Sequence, residues 1–245
     1  MRIKILGCGD AFGTWGRLNT CFLLETSTHR YAIDFGATSM PALKSIGLDS
    51  NDIDGIILSH FHGDHYGGVT NFLLEAALIK KREKPLWIVS PPNVESMIKK
   101  LSDALYPTIY EHLPEIDLRF FYYSNDNQIS FNEIELHSFP LIHSAGSSPH
   151  GFRIKVENRL FAFSGDTEWT DDLFKVSDGA DIFICEANYY DKEGPGHLRY
   201  VDIIKNLKKF NCDNIYISHL GEDWSKEKME SAELSLLEDG QVIDF

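Results

Sequence analysis

The stretch LSHFHGDHYGG, residues 58–68, decides how the chain is read. Three of the ten histidines and an aspartate fall inside it as His60, His62, Asp64 and His65. The apolar run GIILS (55–59) leads into it and reads as a buried strand. On an extended backbone, residues two apart project to the same side, so His60 and His62 can reach one metal ion. On a helix they would stand roughly 200° apart and could not. Gly63 is expected to give the chain a tight turn that sends Asp64 and His65 towards a second position. Gly67 and Gly68 are expected to let the next helix start close to the site. A lone histidine reads as structural; this cluster reads as metal-binding.

Four neighbouring ligands seldom complete a two-metal site, so distant partners are expected. His143 follows the apolar run FPLI, Asp166 follows RLFAFSG, and His219 follows NIYIS. Each sits at or just after a strand end, where loops on a rigid scaffold build sites. With the cluster they make seven potential ligands, which suits two ions with shared or open positions.

The 245 residues fit one domain, taken as 1–245, and a composition 43% hydrophobic and 24% charged is that of a soluble globular chain. A net charge of −14 argues against broad nucleic-acid binding, which needs Lys and Arg to neutralise phosphates. Cys8, Cys21, Cys185 and Cys212 form no Cys-x-x-Cys pair and read as buried free thiols. The start MRIKILGCG lacks the apolar stretch of about 7–15 residues of a signal peptide. No segment approaches the ~20 apolar residues of a membrane span, so a cytoplasmic protein without membrane contact is expected.

Strands are expected at 2–6, 20–25, 30–35, 55–59, 86–90, 118–123, 129–139, 151–156, 159–164, 181–186 and 214–218. Apolar periodicity predicts helices over 69–81, 93–105 and 200–210, and more weakly over 226–237. The early chain is strand-rich and the later strands alternate with helices. That order suggests two packed sheets with helices outside.

The residues His60-Phe61-His62-Gly63-Asp64-His65, then His143, Asp166 in SGDT and His219 in ISHL, resemble the metallo-β-lactamase superfamily in type and order. The resemblance implies an α/β (α+β) fold, a four-layer αββα sandwich with metals at one edge of the two sheets. It implies that His60, His62 and His143 hold the first metal, Asp64, His65 and His219 the second, with Asp166 bridging. Asp166 and His65 stand where many true β-lactamases have a cysteine and no histidine, and His62 stands where flavodiiron proteins have glutamate. Antibiotic hydrolysis and di-iron redox chemistry are thereby disfavoured.

GCGDAFGTWGRLNT (7–20), ICEAN (184–188) and GPGHLRY (194–200) resemble the ribonuclease Z-like, phosphodiesterase-type branch, although Cys185 stands where ribonuclease Z usually has histidine. By that resemblance Glu186 orients His197, and His197 protonates the leaving oxygen. Two divalent cations would activate a water as nucleophile near neutral pH and neutralise phosphoryl charge, with Asp64 both ligating and positioning that water. A phosphodiester needs a proton on its leaving alkoxide more than a lactone or thioester does. The expected function is therefore a dinuclear metal-dependent phosphodiesterase acting on a small phosphodiester, a cyclic nucleotide or a short oligonucleotide. The alternatives are a tRNA 3′-processing endonuclease, a carboxylic ester, lactone or sulfate ester hydrolase, and a non-catalytic metal-binding or sensor domain. Zinc is the first choice of metal, with manganese, iron and nickel fitting the same ligands. A homodimer is expected by resemblance alone.

Other residues carry lesser expectations. Asp34 is assigned either support of a ligand or turn capping, and Asn19 either substrate contact or turn capping. His150 either lines the pocket or is structural, with structure favoured. His29, His112 and His137 read as surface or core histidines. The segment 83–140 has the look of folded sequence and no basic protruding arm of the kind that grips tRNA.

Overall fold

The computed structural model describes residues 1–113, 116–125 and 127–245, and leaves the side chain of His112 outside the description. The strands are β1 (Arg2–Gly7), β2 (Cys21–Glu25), β3 (Arg30–Ile33), β4 (Gly55–Ile57), β5 (Leu86–Ser90), β6 (Leu118–Tyr122) and β7 (Asn127–Phe131). They continue with β8 (Ile134–Pro140), β9 (His150–Val156), β10 (Arg159–Phe163), β11 (Ala180–Glu186), β12 (Cys212–Ser218), β13 (Ser235–Leu236) and β14 (Val242–Asp244). The helices are α1 (Ser39–Ser45), α2 (Gly63–Tyr66), α3 (Val69–Leu74), α4 (Val94–Leu105), α5 (Asp172–Ser177), α6 (Tyr200–Asn206) and α7 (Lys226–Glu230).

Two seven-stranded sheets run in the orders β14-β1-β2-β3-β4-β5-β6 and β13-β12-β11-β10-β9-β8-β7. Alternating side chains of both sheets meet in the central seam. Ile3, Phe22, Leu24 and Ile33 of one face Phe152, Ile154, Phe163 and Ile184 of the other. The outer face of the first sheet buries Leu23, Ala32, Ile56 and Ile88 under Leu43 of α1, Phe72 of α3 and Ile98 of α4. The outer face of the second buries Ala162, Phe183 and Ile217 under Leu173 of α5, Ile203 of α6 and Trp224. Three apolar seams separate four layers, so the fold is the expected αββα sandwich. GIILS, LWIVS and DIFICE read as apolar throughout because their strands are parallel and covered on both faces.

The structure departs from the sequence reading in several places, among them the unanticipated helices α1 and α5. The expected strand 129–139 is a hairpin, β7 and β8, turning at Asn132 with φ +46°. The expected helix 69–81 is regular only to Leu74, and Glu75–Ile79 form a π-helical turn. One extra residue in that turn shifts the phase by about 100°. Ile79, counted on the apolar face, is therefore 72% exposed. The expected helix 226–237 stops at Glu230, and Ser235–Leu236 instead add a short strand parallel to β12. The last strand, β14, was not anticipated; it pairs antiparallel with β1 and covers its edge.

The topology explains where a site can form. The strands β10, β11 and β12 are mutually parallel, and β8 and β10 both run antiparallel to β9. Their carboxyl ends therefore open on one side of the second sheet. Phe61 N donates to Ser147 O (2.9 Å), His150 N to Ser59 O (3.2 Å), and His219 N to Cys8 O (2.8 Å). These backbone bonds tie loops of the first sheet to loops of the second. Among the described residues no helix is long and apolar enough to cross a membrane.

Candidate metal centre

The chain leaves β4 through Leu58, bends at Ser59, and reaches His62, which is extended with φ −92° and ψ +153°. His60 and His62 reach a common side, their ring centroids 4.8 Å apart. The short helix α2 then supplies Asp64 and His65. The chain turns here as expected, but without the freedom of glycine: the φ of Gly63 is not positive, and a Cβ there would meet open space. Helix initiation, not glycine freedom, redirects the chain. The reading of Gly67 and Gly68 holds, because a Cβ at Gly68 would collide with Gly36 O and one at Gly67 with Gly63 O.

Seven side chains from four separate segments converge, four of them from residues 60–65. His60, His62, His143 and Asp166 bring four donor atoms within 4.8 Å of one another, and Asp64, His65, Asp166 and His219 bring four more. Asp166 belongs to both groups. His60 and His65 are fully buried, and Asp166 and His219 nearly so. Nε2 of His60 and Nε2 of His65 are buried without a hydrogen-bond partner, although Asp166 Oδ2 lies 3.7 Å and 3.2 Å away. His62 Nδ1 and His143 Nε2 point at each other at 3.0 Å. Buried nitrogens left unpaired around shared carboxylates are costly unless a cation satisfies them. This donor set suits divalent metal ions.

The second nitrogen of most of these rings is held. Nδ1 of His65 bonds Asp34 Oδ2 at 2.7 Å, Nδ1 of His143 bonds Gly196 O at 2.5 Å, and Nδ1 of His60 lies 3.0 Å from Ser59 Oγ. Such bonds fix tautomer and ring orientation. Asp34 is wholly buried at φ +55° and also accepts from Ser59 N and Ser59 Oγ, each at 2.7 Å. It therefore supports His65 rather than merely capping a turn. His219 too sits at a positive φ, +61°.

Electrostatics follow from this crowding. Burial, with the neighbouring His65, holds His60 well below its usual range and so neutral. Burial also opposes charge on His65, but the carboxylates of Asp166, Asp64 and Asp34 outweigh it and hold that imidazole well above its usual range. Burial likewise opposes ionisation of Asp166, and His219 and His65 outweigh it.

Beside the cluster lies Glu186, buried at the end of β11. Its Oε1 accepts from His197 Nδ1 (2.9 Å) and Thr167 N (2.8 Å), and its Oε2 from Asn188 N (3.0 Å). Burial opposes charge on His197, and Glu186 reverses this, raising its pKa to about 9. Glu186, His197 and His219 also lie close enough to form a third possible ligand group. The Glu186 oxygens are already filled by hydrogen bonds, so that group reads better as a histidine oriented by a carboxylate. A cleft of about 240 Å³ opens beside His197, lined also by Glu168, Trp169, Glu193 and Arg199.

Asn19 is taken up internally, its Nδ2 donating to Asp10 O and its Oδ1 accepting from Thr38 N. That is the capping alternative, not substrate contact. His150 is outside the cluster, with Nδ1 on Ser148 O at 2.9 Å. Sequence reasoning did not single out Ser59, Asn188, Gly196 or Glu168. Ser59 and Gly196 neighbour residues that were singled out, but their contacts depend on loops distant in sequence.

The family profile described as "Anti-Pycsar protein Apyc1" matches residues 1–243. The chain belongs to the Anti-Pycsar protein Apyc1 family. It also belongs to the metallo-β-lactamase superfamily, in its ribonuclease Z-like branch. A ribonuclease Z of Clostridium acetobutylicum is 26% identical over 237 residues, covering 78% of this chain and 76% of that one. Among solved structures, the metallo-β-lactamase fold protein YhfI of Bacillus subtilis superposes with a TM-score of 0.80 at 17% identity, covering 99% of both chains. A diphosphatase of the PhnP family superposes with a TM-score of 0.76 at 16% identity, covering 100% of this chain and 97% of that one. The similarity to ribonuclease Z and the histidine/aspartate cluster together support a metallo-hydrolase.

Proposed function

We propose that this chain, acting as one domain, is a dinuclear metal-dependent phosphodiesterase for small phosphodiesters, a cyclic nucleotide or a short oligonucleotide. His60, His62 and His143 hold the first ion, Asp64, His65 and His219 the second, and Asp166 bridges. Zinc suits this imidazole-rich set best. Two divalent ions bound there would acidify a water to serve as nucleophile and neutralise charge on the phosphoryl oxygens.

The chain's own residues supply the rest. Asp64 orients the attacking water from within the second group. His197 donates its Nδ1 proton to Glu186 in a fixed hydrogen bond, which leaves the Nε2 proton for the departing alkoxide. That His197–Glu186 pair, at 2.9 Å, is the observation that carries the reading. Metal storage has no use for a proton donor, and activated esters need one least.

The test is His197→Ala against diesters of graded leaving group. The variant should keep its metals, lose about 10²–10⁴-fold in kcat on poor leaving groups, and lose little on a nitrophenolate. An equal loss on both would remove the proton-donor role.

A second reading, tRNA 3′-end processing, is favoured by the similarity to ribonuclease Z. The charge of −14 weighs against it, because a large polyanion would be repelled. The described residues of 83–140 are also given largely to β5, α4 and β6–β8, with no basic arm among them.

A further inference from the structure

We propose that Glu168 is a positioning residue for the first metal group, acting through the backbone of Gly196 on His143. Glu168 Oε1 accepts the Gly196 N–H at 2.8 Å. The carbonyl of Gly196 in turn accepts from His143 Nδ1 at 2.5 Å. The side chain thus anchors one side of Gly196, and the carbonyl on its other side holds the ligand. Gly196 adopts φ +82°, a conformation that L side chains rarely take, and a Cβ there would sit 3.1 Å from His143 Nδ1. The imidazole is packed directly on this turn.

The same short segment grips His143 from its other side. Glu168 N donates to Ile142 O at 2.6 Å. Thr167 Oγ1 accepts from Ile142 N at 3.1 Å, while Thr167 N holds Glu186 Oε1 at 2.8 Å. Residues 166–168 therefore knit together the loop before His143, the turn before His197 and the candidate bridging carboxylate Asp166. Of these bonds, the one to Gly196 depends on the Glu168 side chain. The others come from backbone or from Thr167 and survive substitution at 168. An accepting oxygen at that reach thus acts specifically on the 194–197 turn.

A partner that orients a metal-bound histidine is worth about 10–100-fold in metal affinity. Glu168 needs only to accept one N–H bond at the correct distance, so its charge is secondary. This yields a pattern that a merely structural residue would not give. The measurement is zinc affinity of both sites by competition with a chromophoric chelator on the full chain. Glu168→Ala should weaken one of the two zinc sites about 10–100-fold and leave the other unchanged. Glu168→Gln keeps an accepting oxygen at the same reach and should restore the wild-type value. Glu168→Asp keeps the charge, shortens the reach and should behave like the alanine variant; it takes that variant's place if Glu168→Ala does not fold. Wild-type affinity in the aspartate variant, failure of glutamine to restore it, or equal weakening of both sites would overturn the inference. It rests on reading the cluster as a metal centre: a wild-type chain that binds no zinc removes that reading, whereas normal binding with unaltered variants removes only this one.

Discussion

At the scale of the residue, the site is built from histidines whose free nitrogens face one another and whose other nitrogens are tied down. Asp34 is the clearest tie, wholly buried and bonded to His65 Nδ1 at 2.7 Å. Asp34→Asn keeps the shape but can present an amide donor to that nitrogen, disturbing the tautomer that leaves Nε2 free for a metal. We expect the variant to fold and to lose about 10–100-fold in affinity for one of two ions, measured by chelator competition. Unchanged affinity at both sites would show that Asp34 only caps its turn. The ligand candidates were legible in the sequence because clustered histidines and aspartates at strand ends are unusual chemistry at unusual places. Asp34 itself was half-legible, as a strand-end acid whose partner lies thirty-one positions away. Gly196 and Glu168 were not, because a carbonyl bonded across 53 positions leaves no pattern in the chain.

At the scale of the element, the close approach of short segments sets the site. Gly68, ahead of α3, lies where any Cβ would collide with Gly36 O. Neither backbone can yield without moving Asp34 or α2, which carry the cluster. Gly68→Ala should therefore destabilise the fold by about 1–3 kcal/mol, the usual cost of overpacking a tight contact, read as a lowered urea midpoint. Gly63→Ala, with open space around it, serves as the control and should be near neutral. The elements were legible where one period dominates, as in β1 and α4, or where an apolar run is unbroken, as in β5 and β11. They were less so where a local event breaks the period. The π-helical turn at Glu75–Ile79 changes the phase of a helix without changing its composition. The Asn132 turn between β7 and β8 is carried by Asn-Glu, which lacks the glycine that usually signals a hairpin. The strands β13 and β14 have two and three residues, too few to show alternation.

At the scale of the whole molecule, the two sheets act as a frame whose loops meet at the carboxyl ends of β4, β8, β10, β11 and β12. That rim gathers four side chains from the segment after β4 and one each from the ends of β8, β10, β11 and β12. The four layers were legible from the alternation of strands with helices, and the pairing order was not, since register between distant strands is fixed only by packing. On the proposed reading, metal ions would supply positive charge locally, and the net charge of −14 would repel large polyanions. The central claim is tested most directly by counting metal ions per chain and following turnover through chelation and reconstitution. The substrates are a cyclic nucleotide, an artificial diester, a precursor tRNA, a lactone and an aryl sulfate. The account predicts about two divalent ions per chain and turnover of the small diesters that disappears on chelation and returns with zinc or manganese. Precursor tRNA should be cleaved far more slowly. A chain that binds no divalent metal, or that turns over the lactone or sulfate while leaving both small diesters intact, would contradict it.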